Sequence, residues 1–419
     1  MKITIHRGTN EIGGTCVELN AGKTRLLLDL GMPLGNFSKE GVNSLPDTLD
    51  GFDAVLISHP HQDHYGLIEH ISPEIPVYAG ELGQKFIQAM RLFTGAAPLK
   101  NNFKSFEAWT RFSIGDFQIT PYLIDHSAAD AYAFLIEGCG KKIFYSGDFR
   151  AHGRKSKLYK QLVQKPPANI DVLLMEGTML GRKNIEFPTE SSVEDAMLAH
   201  LKAEKGASFL ISSSQNIDRM VTAYRASKRA GRIFVVDIYT AWILKEISNF
   251  SKRIPTIEWI DVRVLSKGRT AASHYRTIKT NPDYFEGFVR TLYEKNNIIE
   301  HDAIRNEPQK YFIKTPRIRD VIDSCGLNKA GIVYSQWDGY MQEKYNPKRY
   351  QSYKELEEDP SINFIRAHTS GHAVLDDLKL LAAAIAPKML VPVHTEHKER
   401  YGDFFDNVKI LEDGETFNL

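Results

Sequence analysis

The stretch SHPHQDHYG at residues 58–66 decides which fold and which kind of site we predict for this chain. It follows the apolar run AVLI at residues 54–57, which predicts a buried strand. The stretch therefore begins where a strand ends and a loop starts. Histidines two residues apart in extended chain point to the same side, and the residues on the following turn reach a second nearby point. Its four potential metal ligands are His59, His61, Asp63 and His64.

Three imidazoles and one carboxylate within six residues suit zinc, and less specifically manganese or iron. A surface loop that is merely rich in histidine is the alternative. One such stretch cannot complete two metal sites, so further ligands must come from other strand ends that meet at the same edge. Apolar runs that predict strands do end in such residues further along the chain, namely in His126, Asp148, Glu176 and His394. Asp29 also ends a strand pattern, and it is either a turn residue or a support for the metal histidines.

The composition excludes several classes of protein. Among 419 residues, 53 Lys and Arg balance 52 Asp and Glu, so the formal net charge is only +1. A nucleic-acid partner would therefore have to bind to local basic patches. The three cysteines are widely spaced and predict neither a disulfide framework nor a metal knuckle, which fits a reducing compartment. The N-terminus lacks an apolar signal core, and no run of about 18 apolar residues occurs. We expect a cytoplasmic protein without a membrane partner.

The pattern changes after residue 181. Strands and helices alternate and predict a second, small parallel sheet, with a capping box of Ser191 and Glu194 opening its first helix. The polar loop at 212–216 precedes the next helix and suits either an anion or ordinary capping. Residues 256–330 give no sharp pattern. A basic segment at 141–165 carries eight Lys or Arg against one acid, and it is either a solvated face or an approach for an anionic substrate.

Together these residues resemble the metallo-β-lactamase superfamily, and within it the β-CASP nucleases of the ribonuclease J type. The HxHxDH signature begins at His59, and later motifs match His126 and Asp148. The β-CASP positions match Glu176, the histidine of Ser370-Gly371-His372, and His394 22 residues on. Six of the 14 histidines fall on motif positions, which argues against coincidence.

The resemblance implies an α/β protein, a metallo-β-lactamase αββα sandwich with an inserted β-CASP α/β domain. The expected boundaries are 1–181 for the first part of the sandwich, 182–361 for the insertion, and 362–419 for the completing part. The sequence ends soon after His394, before the C-terminal domain of ribonuclease J, so the resemblance leaves the oligomeric state open.

The resemblance also implies two-metal hydrolysis of phosphodiesters, with two divalent ions that we expect to be zinc, or alternatively manganese. The implied ligands are His59, His61 and His126 for one ion, Asp63, His64 and His394 for the other, and Asp148 as the bridge. The implied catalytic residues are Asp63, Glu176 and His372, with His372 contacting the scissile phosphate or protonating the leaving oxygen. The expected phosphate-binding residues are Ser214, Asn216, Ser370, Gly371 and His372.

The expected substrate is single-stranded RNA, cleaved from the 5′ end toward the 3′ end with some internal cleavage. Four cations would line its groove if they faced it, namely Arg219, Arg225, Lys228 and Arg229. A DNA nuclease of the same fold stays open. A lactone or thioester hydrolase would be expected without the insertion, and a non-catalytic nucleic-acid-binding relative would be expected to have lost ligands.

Overall fold

The computed structural model describes residues 1–34, 49–182, 186–294 and 297–419. The strands are β1 Lys2–Arg7, β2 Cys16–Ala21, β3 Thr24–Leu28, β4 Ala54–Leu56, β5 Val77–Tyr78, β6 Phe103–Lys104, β7 Phe112–Ile114, β8 Phe117–Leu123, β9 Tyr132–Gly138, β10 Lys141–Tyr145, β11 Val172–Glu176, β12 Ala207–Ile211, β13 Ile233–Val236, β14 Val262–Leu265, β15 Ile298–Ile299, β16 Tyr311–Lys314, β17 Ala330–Tyr334, β18 Ile362–Arg366, β19 Met389–Val393 and β20 Glu415–Asn418.

The α-helices are α1 Gln62–Tyr65, α2 Glu81–Thr94, α3 Ser156–Gln164, α4 Glu190–Ala203, α5 Ile217–Arg229, α6 Ile238–Ser248, α7 Arg269–Thr280, α8 Phe288–Glu294, α9 His301–Asn306, α10 Ile318–Cys325, α11 Tyr350–Glu358 and α12 Leu375–Ile385. Short 3₁₀ turns add Ile68–His70, Pro308–Lys310, Asp338–Met341 and Lys398–Asp403. Within the described ranges, no helix combines the length and the apolar character needed to cross a membrane.

The chain forms two compact units. The first comprises residues 1–88, 98–184 and 370–419, and the second comprises residues 89–97 and 185–369. Strand β18 pairs in parallel with β17, so residues 362–366 lie in the second unit, beyond the boundary expected from the sequence.

The first unit is a sandwich of two sheets. Their strand orders are β20-β1-β2-β3-β4-β5-β6 and β19-β11-β10-β9-β8-β7. Both sheets supply apolar side chains to the core between them, for example Ile5, Leu28, Phe134 and Val391. Helices α3 and α12 pack on the outer face of the second sheet, and apolar residues around α1 and in α2 pack on the first. This is the αββα sandwich predicted from the sequence.

Strand register brings the motif residues to one edge of each sheet. In the second sheet β10, β11 and β19 run in parallel, with Tyr145 paired to Leu174 and Leu174 paired to Val391. The chain therefore leaves these strands toward Asp148, Glu176 and His394 at a common edge. In the first sheet, β3 and β4 run in parallel and lead to Asp29 and to the HxHxDH stretch in the same way.

The second unit contains a seven-stranded parallel sheet in the order β15-β14-β13-β16-β12-β17-β18. Its strand–helix alternation follows the sequence prediction. The predicted capping box is wrong, because α4 is capped by Thr189, whose partner in the box is Ser192. The buried Glu194 carboxylate instead accepts hydrogen bonds from the guanidinium groups of Arg225 and Arg229.

Candidate active site

Three imidazoles converge in the first group of ligands. His59 and His61 flank Pro60 just beyond β4, and the His59 Nε2 atom lies 3.1 Å from His61 Nδ1. The loop after β8 brings His126 Nε2 to 3.2 Å from the same His61 nitrogen. A tetrahedral ion with bonds of about 2.1 Å separates its ligand atoms by about 3.4 Å. The spacing of the three nitrogens therefore fits one metal ion.

A second group lies beside the first. The His64 Nε2 atom is 3.0 Å from Asp148 Oδ2, and His394 Nε2 is 3.6 Å from the same oxygen. Asp63 Oδ2 lies 3.8 Å from His394 Nε2. Asp148 Oδ2 is also 3.7 Å from His59 Nε2, so this carboxylate touches both groups. The expected ligands thus lie in two neighbouring groups, and Asp148, a member of the second, is the carboxylate that approaches the first.

Two buried atoms of this cluster lack hydrogen-bond partners among the described residues, namely Asp148 Oδ1 and His394 Nε2. A buried polar atom without a partner costs about 1–3 kcal/mol. Both atoms belong to ligands of types that zinc accepts. The residues present therefore fit a divalent metal centre, and a bound ion would satisfy both atoms.

Burial keeps the first group of imidazoles neutral. It holds the pKa of His59 and of His126 well below the usual range, and it lowers the pKa of His61 to about 4. Neutral imidazole is the form that binds metal. Burial also raises the pKa of Asp148, but the surrounding His394 and His64 outweigh burial and hold it well below its usual range.

Other side chains and backbone groups fix the orientation of the ligands. The His64 Nδ1 atom lies 2.8 Å from Asp29 Oδ2, the Thr15 hydroxyl lies 2.7 Å from His394 Nδ1, and His126 Nδ1 lies 2.7 Å from the Gly371 carbonyl oxygen. Each contact leaves Nε2 facing the cluster. Outer partners of this kind orient metal-binding imidazoles. His394 itself adopts a left-handed backbone conformation with φ 52°, as residues held at functional sites do.

Asp29 is a support, and the turn-residue alternative does not describe its role. Its carboxylate is fully buried and accepts hydrogen bonds from the Ser58 amide at 2.7 Å, the Ser58 hydroxyl at 2.8 Å and the Tyr145 hydroxyl at 2.6 Å. With His64 it has four donors. An amide in place of this carboxylate keeps one acceptor oxygen, so donors would lose partners.

We expect Asp29→Asn to destabilise the fold by about 2–4 kcal/mol and to weaken metal binding about 10- to 100-fold. Asparagine tolerates the left-handed conformation of this position, whose φ is 55°, so the substitution tests the carboxylate rather than the backbone. Urea unfolding and metal titration measure the two effects. The exposed Asp53→Asn serves as control, and metal affinity equal to wild type in Asp29→Asn would exclude the supporting role.

Glu176 and His372 form a pair beside the metal ligands. The His372 Nδ1 atom lies 3.2 Å from Glu176 Oε2 and 3.7 Å from Asp148 Oδ2. Burial pulls the pKa of His372 down, but the Glu176 and Asp148 carboxylates outweigh it and raise the pKa to about 9. The backbone amides of Phe149 and Thr178 hold the Glu176 carboxylate. Both contacts of the His372 ring with Glu176 use Nδ1, and among the described residues none hydrogen-bonds to Nε2, which leaves Nε2 for a substrate.

Two of the expected phosphate-binding side chains have internal partners. The Ser214 hydroxyl is buried and contacts the Thr240 hydroxyl and the Lys314 ammonium group. The Asn216 side chain caps α5 by accepting from the Arg219 amide. The loop at 212–216 therefore acts as an ordinary helix cap, which is the alternative to anion binding that the sequence left open. In the first unit the Ser370 hydroxyl accepts from the His372 amide, and the Gly371 carbonyl oxygen holds His126.

The four cations expected to track a phosphate backbone are engaged within the second unit. Arg219 is fully buried and binds the Glu190 carboxylate. Arg225 and Arg229 bind Glu194 as described above, and Lys228 lies 3.3 Å from an Asp261 oxygen. The expected role is therefore not supported for these four. The sequence does not show which face of α5 packs inward against acids from α4.

Sequence reasoning missed Arg150. Its guanidinium is fully buried, donates to the Ser370 carbonyl oxygen at 2.9 Å, and lies 3.6 Å from Asp125 Oδ1. Arg150 thus joins the loop that carries His126 to the loop that carries His372. The only signal was its place in the basic segment, where the Lys155 ammonium group also turns inward and donates to the His126 carbonyl oxygen.

The αββα sandwich and the two groups of His and Asp at its edge resemble proteins of the metallo-β-lactamase class. The family described as "Beta-lactamase superfamily domain" matches residues 24–211. The chain is 24% identical to Ribonuclease J of Helicobacter pylori over its whole length, and 21% identical to Ribonuclease J of Mycoplasma genitalium over 95% of its length. It covers 61% and 68% of those relatives. The chain is therefore similar in sequence to the beta-lactamase superfamily over residues 24–211 and to proteins named Ribonuclease J over its length.

Two further similarities concern part of the chain and the fold. Probable RNase MJ4 of Methanocaldococcus jannaschii is 25% identical over 48% of this chain, which covers 50% of that relative. A crystal structure of a protein of unknown function from Enterococcus faecalis V583 superposes with a TM-score of 0.78 at 20% identity, covering 100% of this chain and 99% of that one. This similarity shows that the fold recurs over the full length.

Proposed function

We propose that this chain is a metal-dependent hydrolase that cleaves phosphodiester bonds of RNA. The observation that carries the proposal is the pair of neighbouring ligand groups, with Asp148 of the second 3.7 Å from His59 of the first and Glu176 and His372 beside them. Two ions held about 3.5–4 Å apart are typical of enzymes that cleave phosphodiesters. The relatives named Ribonuclease J support RNA as the substrate, although the chain spans only about 60% of the length of the Helicobacter relative.

When bound, two divalent ions supply polarisation of the phosphoryl group and activation of water. The protein itself fixes the ligand atoms, because burial and the outer contacts leave each imidazole little freedom. His372 then contacts the scissile phosphate or protonates the departing oxygen, and Glu176 orients its ring. Zinc is the metal that we propose, with manganese as the alternative, because imidazole and carboxylate ligands suit both.

We further propose single-stranded RNA as the substrate, cleaved from a 5′-monophosphate end. The support is the similarity to Ribonuclease J. RNA oligomers with 5′-hydroxyl, 5′-monophosphate and 5′-triphosphate ends are the test, with matched DNA alongside. We expect the monophosphate to be cleaved fastest, since a triphosphate brings extra charge and bulk to the 5′ end.

Labelling at the 5′ and 3′ ends separates the two modes of cleavage. Release of mononucleotides from the 5′ end indicates exonuclease action, and early internal fragments indicate endonuclease action. Equal rates on the three ends would remove the end preference, and faster cleavage of DNA would remove the assignment to RNA. A lactone or thioester hydrolase would cleave neither polymer.

A further inference from the structure

The second unit contains a basic pocket that none of the metal ligands lines. We name it the basic pocket and define it by Arg269, Arg317, Arg319, Lys348 and Arg349, with His274 in its wall. Its volume is about 400 Å³. A smaller cavity adjoins it and shares Arg269 and Arg317, and Thr315 lines that second part.

The sheet topology places this pocket where ligands bind in open α/β sheets. Thr315 directly follows β16, and Lys267, which lines the adjoining cavity, comes two residues after the end of β14. Both strands run in the parallel sheet, so both positions lie at its carboxyl edge. Side chains and helix ends at this edge form the usual crevice for ligands in such folds.

Three helices begin at the basic pocket. Helix α7 starts after Gly268, α10 starts after Arg317 and α11 starts after Arg349, and none of these three capping residues makes a side-chain hydrogen bond to its helix. Their first turns leave backbone N–H groups without a side-chain cap. Each helix start carries roughly half a positive charge and attracts anions. Neither α7 nor α11 has an acidic residue in its first turn.

The side-chain charges add to this positive potential. Five cations define the basic pocket, whereas Asp320 is the acid among its lining residues. Arg269 pairs with Asp320, and Arg319 lies 2.7 Å from an Asp359 oxygen. Lys348 and Arg349 are exposed and form no ion pair with any residue that the structure describes. These two cations are therefore available to an anion.

Two buried polar atoms, one in the adjoining cavity and one in the wall of the basic pocket, point independently to a ligand. Thr315 is 3% exposed, and its Oγ1 atom has no hydrogen-bond partner among the described residues. His274 is 9% exposed, and its Nδ1 atom likewise lacks a described partner. Leaving such atoms unsatisfied is costly, and a bound ligand or water removes the cost. A site with uncapped helix starts, surplus cations and unsatisfied polar atoms has the chemistry of a phosphate site.

We propose that the basic pocket binds phosphate groups. A nucleic-acid strand and a small phosphorylated compound both offer phosphate groups to this pocket. The first of these ligands is expected only if the proposed function is correct. The test measures binding of pyrophosphate, of adenosine monophosphate and of a nuclease-resistant phosphorothioate RNA oligomer to the metal-loaded protein. Resistance to cleavage separates the two proposals, because binding is measured whether or not the protein hydrolyses RNA.

The Lys348→Glu/Arg349→Glu variant is the main probe, and Lys202→Glu/Lys205→Glu is its control. All four residues are exposed, and both double variants change the net charge equally. We expect the pocket variant to bind pyrophosphate about tenfold or more weakly, and the control to stay near wild type. For the RNA oligomer we measure the slope of the logarithm of the binding constant against the logarithm of the salt concentration. We expect this slope to fall by the equivalent of about one to two phosphate contacts in the pocket variant and to stay unchanged in the control.

Thr315→Val tests the buried part without changing charge. It should bind pyrophosphate several-fold more weakly while thermal unfolding stays equal to wild type or rises, because an unsatisfied hydroxyl is removed. Loss of pyrophosphate and RNA binding in the pocket variant assigns the site to a strand, and loss of pyrophosphate and nucleotide binding alone assigns it to a small ligand. Equal effects in the pocket and control variants, or unchanged binding in both, would overturn the proposal.

Discussion

His64→Ala is expected to remove one of two bound metal ions and to slow RNA hydrolysis by about 10³-fold or more. The His64 Nε2 atom faces the oxygen of Asp148 that also lies near His59 and His394. Deleting this imidazole would leave the second ion with Asp63, His394 and the Asp148 carboxylate as its expected ligands. It also leaves Asp29 with a buried oxygen that has lost a donor.

Metal content decides this prediction. Elemental analysis of the purified variants after loading with zinc or manganese should give two ions per chain for the wild type and one for His64→Ala. His70→Ala is the matched control, because His70 is an exposed histidine six residues away and belongs to neither cluster. A wild-type protein that holds at most one ion when metal is in excess would contradict the dinuclear scheme, and so would a variant that keeps both.

That the expected metal ligands lie close together could be predicted from the sequence, because their position follows a general rule of sheet geometry. Parallel strands that end at one edge bring the residues after them together, whatever the loops contain. The apolar runs before Asp148, Glu176 and His394 therefore indicated that these three would meet. The same rule located Asp29, but not its function, since its four donors come from residues that no local pattern connects with it.

The contacts of the cations could not be predicted from the sequence. Whether a lysine or arginine faces solvent or a buried acid depends on the packing of helices that are distant in sequence. Arg219 illustrates this, because its partner Glu190 comes 29 residues earlier on a different helix. The basic pocket illustrates the converse, since its cations lie within residues 269–349, and much of that region gave no sharp sequence pattern. Its strands are short and carry charges, as in VRVL and YFIK, which hides their apolar character.

His372→Ala is expected to leave both metal ions in place and to slow RNA hydrolysis by about 100-fold or more, the range of a general acid. Its ring belongs neither to the group of three imidazoles nor to the group of Asp63, His64, Asp148 and His394, and the Glu176 carboxylate holds its Nδ1 atom. Because Asp148, Glu176 and His372 are also close enough to hold an ion, metal content is measured first. Loss of an ion in this variant would make His372 a ligand instead of an acid.

A change of leaving group then separates the two roles that remain for His372. A nucleotide p-nitrophenyl phosphodiester expels a phenolate that needs no proton, whereas RNA expels an alkoxide that does. A general acid matters little for the first substrate and greatly for the second, so the defect of His372→Ala should shrink toward wild type on the p-nitrophenyl ester. A side chain that only binds the scissile phosphate is needed equally by both substrates, because both carry the same phosphoryl group. An equal defect on the two substrates would therefore assign His372 to phosphate binding, and Glu176→Gln should then follow His372→Ala on both, since its carboxylate fixes the ring in either role.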